Sequence, residues 1–291
     1  FVDPGDVVLV ELPTYPGAVT AFRASQAQLA GVAQDDDGID LDDLERVWAR
    51  EQSAGRRVAF LYVVPNFQNP TGLLISLEKR RRLVEWAARR DVIIVEDDPY
   101  GALYFEDVAS ESDTRPIAAD PGDATVVYLS SFSKTVAPGF RVAWMAGPPP
   151  IIEKMELALQ AAELCGGSLD QRVVYEVWKR GLFDARLPDL RRAYQERRTV
   201  METALRSDLG TLVSWPEPRG GFFLWATLPE SLDTLALLPK AIEAGVVYVA
   251  GTGFYVDGRA TSQLRLSYSG SSLDVIRTGI SRLASAVHAA L

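Results

Sequence analysis

An α/β fold is predicted: a mostly parallel central sheet with helices on both faces, followed by a smaller C-terminal α+β domain. Three observations predict it. Short β-branched runs recur at Val7–Val10, Val58–Val64, Val92–Val95 and Val126–Leu129, each apolar without alternation. Runs of that length suit strands covered on both faces, as in a parallel sheet. A helical segment, Leu77–Arg90, separates the second run from the third, which makes a strand–helix–strand unit. Beyond Pro148-Pro149-Pro150 the pattern becomes helical and then mixed.

Each element has its own signals. Ser76 is the expected N-cap of the Leu77–Arg90 helix, with Glu78 in its first turn and Arg89 and Arg90 in its last. Ile151, Met155, Ala158, Leu159 and Ala162 share one helical face. A further helix is expected from Pro188 to about Leu205, with Leu190, Tyr194, Met201 and Leu205 inward. Short strands follow at Gly221–Trp225, Val246–Ala250 and Gln263–Tyr268. A closing helix starts at Leu273 and carries the stripe Leu273, Ile276, Ile280, Leu283, Val287. The expected division is a large domain over 1–185 and a small one over 186–291.

Composition narrows the function. With 47% hydrophobic residues and no low-complexity segment, the 291 residues read as globular. Acidic residues outnumber basic ones, 39 to 30, for a net charge of −9, which argues against a nucleic-acid partner. The run Lys79-Arg80-Arg81-Arg82 reads as a solvated helix face. No apolar run approaches the roughly 20 residues that span a bilayer. A lone cysteine, Cys165, excludes an internal disulfide and fits a reducing cytoplasm. The single histidine, His288, lies in the last helix, so neither a zinc site nor a Ser-His-Asp triad is expected.

In open α/β sheets, ligands bind at the carboxyl ends of the strands. Three unusual segments fall there: Asn66-Phe67-Gln68-Asn69-Pro70-Thr71-Gly72, Glu96-Asp97-Asp98-Pro99-Tyr100 and Ser130-Ser131-Phe132-Ser133-Lys134. Singly, each reads as an ordinary turn, an acidic cap or a polar loop. Their order at successive strand ends points instead to one site.

With these motifs the chain resembles the fold-type I aminotransferases dependent on pyridoxal 5'-phosphate. The resemblance runs closest to the branch of 2-aminoadipate and kynurenine aminotransferases shared with MocR-type regulators, and it covers essentially the whole chain. It implies that Lys134 is the Schiff-base lysine and the base that moves the α-proton. Asp97 matches the aspartate beneath the pyridine nitrogen. Asp98 is the competing acid, but the family's three-residue spacing to a tyrosine is met by Asp97 and Tyr100. Asn69 and Tyr100 match the pair that bonds the ring's phenolic oxygen. Ser131, Ser133 and Arg141 match phosphate ligands, with capping of the next turn an alternative role for Ser131. Tyr15, in Pro13-Thr14-Tyr15-Pro16-Gly17, matches the aromatic stacked on the ring, or else is core. Arg265 matches the arginine that grips the substrate's α-carboxylate, alternating with Leu264, Leu266 and Tyr268 along a strand; exposure to solvent is its other reading. Gly220-Gly221-Phe222-Phe223 resembles the small-domain segment that approaches the substrate.

The implied activity is transamination between an amino acid and a 2-oxo acid, in a cytoplasmic homodimer. Two other readings stand beside it: the effector-binding domain of a MocR-type regulator, and an inactive truncated fragment. Phe1 is not an initiator methionine, and the sequence opens at a turn into an apolar strand. An upstream segment is therefore expected, and the resemblance implies that it carries phosphate-binding backbone groups, substrate-selecting residues and dimer contacts.

Overall fold

The computed structural model describes residues 1–291 and sorts the strands into two sheets. The large sheet contains β1 (Val7–Leu12), β2 (Gln28–Asp35), β3 (Gly38–Ile39), β4 (Val58–Val63), β5 (Ile93–Asp97), β6 (Val126–Ser131) and β7 (Ala143–Ala146). Their spatial order is β3-β2-β1-β4-β5-β6-β7. The five central strands run parallel, and only the two outer strands, β3 and β7, pair antiparallel.

Alternate residues of β1 serve opposite faces, as the two-residue strand period requires. Val7 and Leu9 pack with Leu61, Ile94, Leu44 and Leu83 on one side. Val8 and Val10 pack with Phe60 and Tyr62 on the other, where Phe22 joins them. Leu44 comes from α2 (Leu41–Ser53), Leu83 from α3 (Leu77–Arg90) and Phe22 from α1 (Pro16–Ala24). Helices thus cover both faces, and each fully buried Leu or Ile contributes roughly 1.5–3 kcal/mol.

The α3 bounds are those the sequence predicts, and Ser76 Oγ accepts from Lys79 N at 3.2 Å. Its basic run is not a solvated face, however. Lys79 and Arg80 are buried, and only Arg81 and Arg82 face water. Lys79 pairs with Asp35 and Asp37, while Arg80 donates to Asn66 Oδ1 at 2.7 Å and to the Ile75 carbonyl at 2.9 Å. A buried cation persists only with such partners, and those partners lie far away in sequence.

Three helices follow the large sheet: α4 (Pro149–Glu163), α5 (Ser168–Lys179) and α6 (Leu182–Leu209), the last crossing residue 186. No residue of α4 is buried, so its apolar face borders a cavity rather than a core. The second sheet is antiparallel, ordered β8 (Phe223–Thr227), β10 (Gln263–Ser267), β9 (Val249–Ala250). Between β8 and β9 runs α7 (Thr234–Glu243), and α8 (Leu273–His288) closes the chain. Leu205, Leu224, Leu264, Ile276, Ile280 and Leu283 join α6, β8, β10 and α8 in a second core. No helix is long and apolar enough to cross a membrane.

Candidate active site

The carboxyl ends of β1, β4, β5 and β6 open at one edge of the large sheet. At the end of β5 the chain presents three acids in three environments. Glu96, fully buried, accepts from the backbone N–H groups of Ile117 and Ala118, each at 2.8 Å, and burial pushes its carboxyl up to about 7. Asp98 is buried too; it accepts from Gly101 N at 2.8 Å and from the Tyr128 hydroxyl at 3.0 Å. Asp97 is half-buried and borders a cavity of about 1230 Å³. Its Oδ2 accepts from the Tyr62 hydroxyl at 2.6 Å, and its Oδ1 takes no hydrogen bond. Burial raises the Asp97 carboxyl and the charge of Asp98 adds to this, whereas Tyr62 and the Lys134 ammonium oppose it.

That same cavity lies between β6, β7, α4 and α5, and Ser131 and Arg141 line it with Asp97. Ser131 Oγ accepts from Ser133 N at 3.0 Å, the turn-capping contact, and sits 3.4 Å from the Val142 carbonyl. Lys134 and Ser133 occupy the turn between Ser131 and Arg141, half-buried. Arg141 is exposed with φ +54°, and its Nη1 donates to the Pro138 carbonyl at 3.3 Å.

A second group gathers at the seam between the two sheets. Arg265 Nη1, from β10, donates to Asn69 Oδ1 at 2.7 Å, and its Nε is buried without a partner. The guanidinium carbon stands 4.2 Å from the centre of the Phe223 ring and 5.1 Å from that of Phe254. Strand alternation does put Arg265 opposite Leu264 and Leu266, but that face meets the large sheet rather than water. Tyr100 is buried, edge-on to Phe222 at 5.5 Å between ring centres. Burial raises its phenol, the charge of Asp97 adds to this, and Arg265 opposes it. Asp97 and Tyr100 thereby join the two groups electrostatically. Tyr15, 40% exposed, lies within electrostatic reach of Tyr62, Tyr100 and Arg265. Its ring folds back over Gly17, where a Cβ would meet Cζ at 2.5 Å, so a side chain at that position would push the ring aside.

Sequence reasoning passes over Tyr62 because a tyrosine inside an apolar strand reads as core. It also passes over Gln68, whose amide nitrogen donates to Glu11 Oε2 at 3.3 Å and to the Pro13 carbonyl at 2.9 Å. That pair of bonds ties the loop bearing Asn69 to the loop bearing Tyr15.

Comparison with known proteins agrees with this architecture. Residues 1–283 match the family described as aminotransferase class I and II. Aromatic-amino-acid aminotransferase 1 of Thermococcus litoralis is 38% identical over 99% of this chain and 68% of its own length. The 2-aminoadipate transaminase of Thermus thermophilus is 39% identical over 99% of this chain and 70% of its own. The crystal structure of Pyrococcus horikoshii kynurenine aminotransferase, in complex with PMP, superposes with a TM-score of 0.94 at 38% identity, covering all of this chain and 71% of that one. Strand order, the acids at the end of β5 and near-complete matches of this kind converge on one conclusion: the chain belongs to the class I and II aminotransferases, with fold type I.

Proposed function

We propose that this aminotransferase moves an amino group between an amino acid and a 2-oxo acid in a ping-pong cycle, with pyridoxal 5'-phosphate as cofactor and Lys134 as the residue that carries it. One observation supports this reading above others. Asp97, an acid with a free oxygen, lies within electrostatic reach of the Lys134 amine and of Tyr100, and Tyr100 lies within reach of the half-buried Arg265 guanidinium.

The donor set fits the cofactor. Asp97 Oδ1 offers negative charge to a protonated ring nitrogen. Asn69 Oδ1 is taken by Arg265, which leaves its amide nitrogen, with the Tyr100 hydroxyl, for the phenolic oxygen. Ser131, Ser133 and Arg141 supply hydroxyls and a guanidinium for the phosphate. Tyr15 offers a ring face for stacking.

When bound, the cofactor supplies an electron sink for the pair left behind as an α-proton departs. Lys134 takes up that proton and returns it, the role of a positioned amine base. Arg265, pinned through Nη1, keeps its Nη2 for the substrate's α-carboxylate. Phe223 and Phe254 exclude water beside the guanidinium and so strengthen that pairing.

We also propose that the chain divides near residue 186 into a cofactor-binding domain and a small domain; the two separate cores support this, with α6 spanning the join. A homodimer is the proposed working form, supported by the exposed apolar residues Leu157, Leu164, Leu169 and Trp178 on and around α4 and α5. The regulator reading is less favoured, because the relatives at 38% and 39% identity are named as enzymes.

The test is an absorption spectrum of the chain with pyridoxal 5'-phosphate, before and after adding a panel of amino acids. A visible band that one donor bleaches supports the reading, and borohydride should then fix the cofactor to the wild-type chain and not to Lys134→Ala. Fixation in the variant, or no band in the wild type, overturns it.

A further inference from the structure

Tyr62 stands at the centre of a short polar row beneath the site. It lies on β4, whose residues pair with β1 on one side and β5 on the other; Tyr62 itself pairs with Val10 and Val95. Its hydroxyl donates to Asp97 Oδ2 at 2.6 Å, and its side chain is 2% exposed. Apolar side chains pack against the ring: Phe22 of α1 meets it edge-on at 5.4 Å, and Phe60 and Val10 complete the packing. The hydroxyl has one hydrogen-bond partner.

We propose that Tyr62 is a positioning residue for Asp97: its hydrogen bond selects Oδ1 as the oxygen that faces the cavity and holds the carboxyl in its ionised form. The proposal rests on the reading of Asp97 as the cofactor's anionic partner, and it extends that reading to a residue outside the ring of direct contacts.

The physical argument has two parts. The first is geometric. A carboxylate on a strand end rotates about its last torsion, which is broad and roughly two-fold. With Oδ2 held at 2.6 Å by a rigid ring, that rotation is quenched and Oδ1 presents a fixed lone pair. The second is electrostatic. Burial disfavours the charged carboxylate, and a hydrogen bond to the ionised form counters it. Toward a carboxylate the phenol serves only as a donor, and burial raises Tyr62 so far that it stays protonated. The bond therefore acts in one direction, favouring ionised Asp97.

Other titratable groups face this pair. Asp98 disfavours the Asp97 charge and Lys134 favours it. Tyr100 lies within reach of the Asp97 charge. Glu11 on β1 and Tyr15 lie within electrostatic reach of Tyr62. Of all these, Tyr62 alone makes a hydrogen bond to the Asp97 side chain.

The experiment follows the ¹³C carboxyl signal of Asp97 with pH in the 291-residue chain without cofactor, the signal being assigned by its loss in Asp97→Asn. Tyr62→Phe removes one oxygen and keeps the packing. The expected result is a titration midpoint raised by about one pH unit or more, the size of one hydrogen bond to a charged group. Tyr248→Phe, which removes a buried phenol bonded to the Thr234 carbonyl in the other domain, controls for a general loss of rigidity. It should leave the Asp97 midpoint in place. An unmoved midpoint in Tyr62→Phe, or equal movement in both variants, overturns the proposal.

Equilibrium dialysis with pyridoxal 5'-phosphate gives a second readout. Tyr62→Phe should weaken binding on the order of tenfold at neutral pH, with the loss growing toward acid. In an Asp97→Asn background the same substitution should cost much less. Equal cost in both backgrounds would assign Tyr62 to packing alone. The readouts also separate the two claims: a wild-type chain that binds no pyridoxal 5'-phosphate defeats the functional reading, while the carboxyl titration still decides the role of Tyr62.

Discussion

Arg265 on the small sheet donates to Asn69 Oδ1 on the large one at 2.7 Å, across 196 residues of sequence. The bond fixes the guanidinium at the seam, with Nη2 making no hydrogen bond. Arg265→Lys retains the charge but loses the planar fork, which makes the exchange far from conservative at such a position. The expected outcome is a KM for amino acids raised on the order of 10- to 100-fold, with a smaller fall in kcat. Steady-state kinetics with several donors checks it; an unchanged KM would confine Arg265 to pinning Asn69.

The adjacent acids Asp97 and Asp98 at the end of β5 should separate by experiment. Asp97→Asn removes a partly desolvated charge, so its unfolding temperature should equal or exceed the wild type's, while turnover falls on the order of 100-fold or more. Asp98→Asn places an amide nitrogen among the donors Tyr128 and Gly101, which now hold a carboxylate. It should cost roughly 1–3 kcal/mol of stability and comparatively little rate. Thermal unfolding paired with single-turnover measurements distinguishes them, and the opposite ranking would name Asp98 as the functional acid.

What the sequence made legible follows from physical range. The strands β1, β4, β5 and β6 announce themselves because burial on both faces demands unbroken apolar runs. β2 escapes that test: Gln28, Gln34 and Asp35 lie at its ends, and half of its surface faces outward near the sheet's edge. The α3 bounds were readable from Ser76 and Arg90, whose capping roles are local. The burial of Lys79 and Arg80 was not, since their partners Asp35 and Asn66 lie 44 and 14 residues away. Similarly, Asp97 stands out as one of three consecutive acids, whereas Tyr62 is camouflaged by the strand it belongs to. The apolar face of α4 shows the converse limit, because periodicity marks a face without saying whether it meets a core or a cavity.

Gly220 offers a test of how the loop after β5 is held. Phe105 N donates to the Arg219 carbonyl at 2.9 Å and Gly221 N to the Leu103 carbonyl at 3.0 Å, so residues 103–105 run beside the lead-in to β8. A Cβ on Gly220 would stand 2.5 Å from the Phe67 ring and 2.6 Å from the Leu103 carbonyl oxygen. The backbone oxygen cannot swing away as a side chain can. Gly220→Ala should therefore destabilise by roughly 1–3 kcal/mol, the usual range for overpacking. Because Phe67 lies two residues from Asn69, the KM for amino acids should rise as well. Denaturant unfolding and kinetics check the two effects, and a variant with wild-type stability would mean the loop tolerates displacement.

Glu11 predicts a pH dependence of stability. It is fully buried at the end of β1 and accepts from Val64 N at 2.9 Å, Gln34 Nε2 at 3.0 Å and Gln68 Nε2 at 3.3 Å. No cation stands among these partners, and burial pushes the carboxyl up to about 7 from an ordinary 4.5. The folded chain therefore binds this proton more tightly than the unfolded chain does. Its contribution to stability is fully present below pH 4.5, declines as pH rises, and is lost once pH passes about 7. Glu96, raised to about 7 by the same cause, acts with the same sign. The unfolding free energy of the wild type should fall across that window. Glu11→Gln stays neutral throughout and retains an acceptor for Val64 N, so it should remove roughly 3 kcal/mol of the fall at the limit. Urea unfolding at a series of pH values measures it. A Glu11→Gln curve parallel to the wild type's would show that Glu11 ionises at its ordinary pH even when folded, and the decline would then belong to Glu96, Asp97 and Asp98, which burial also raises.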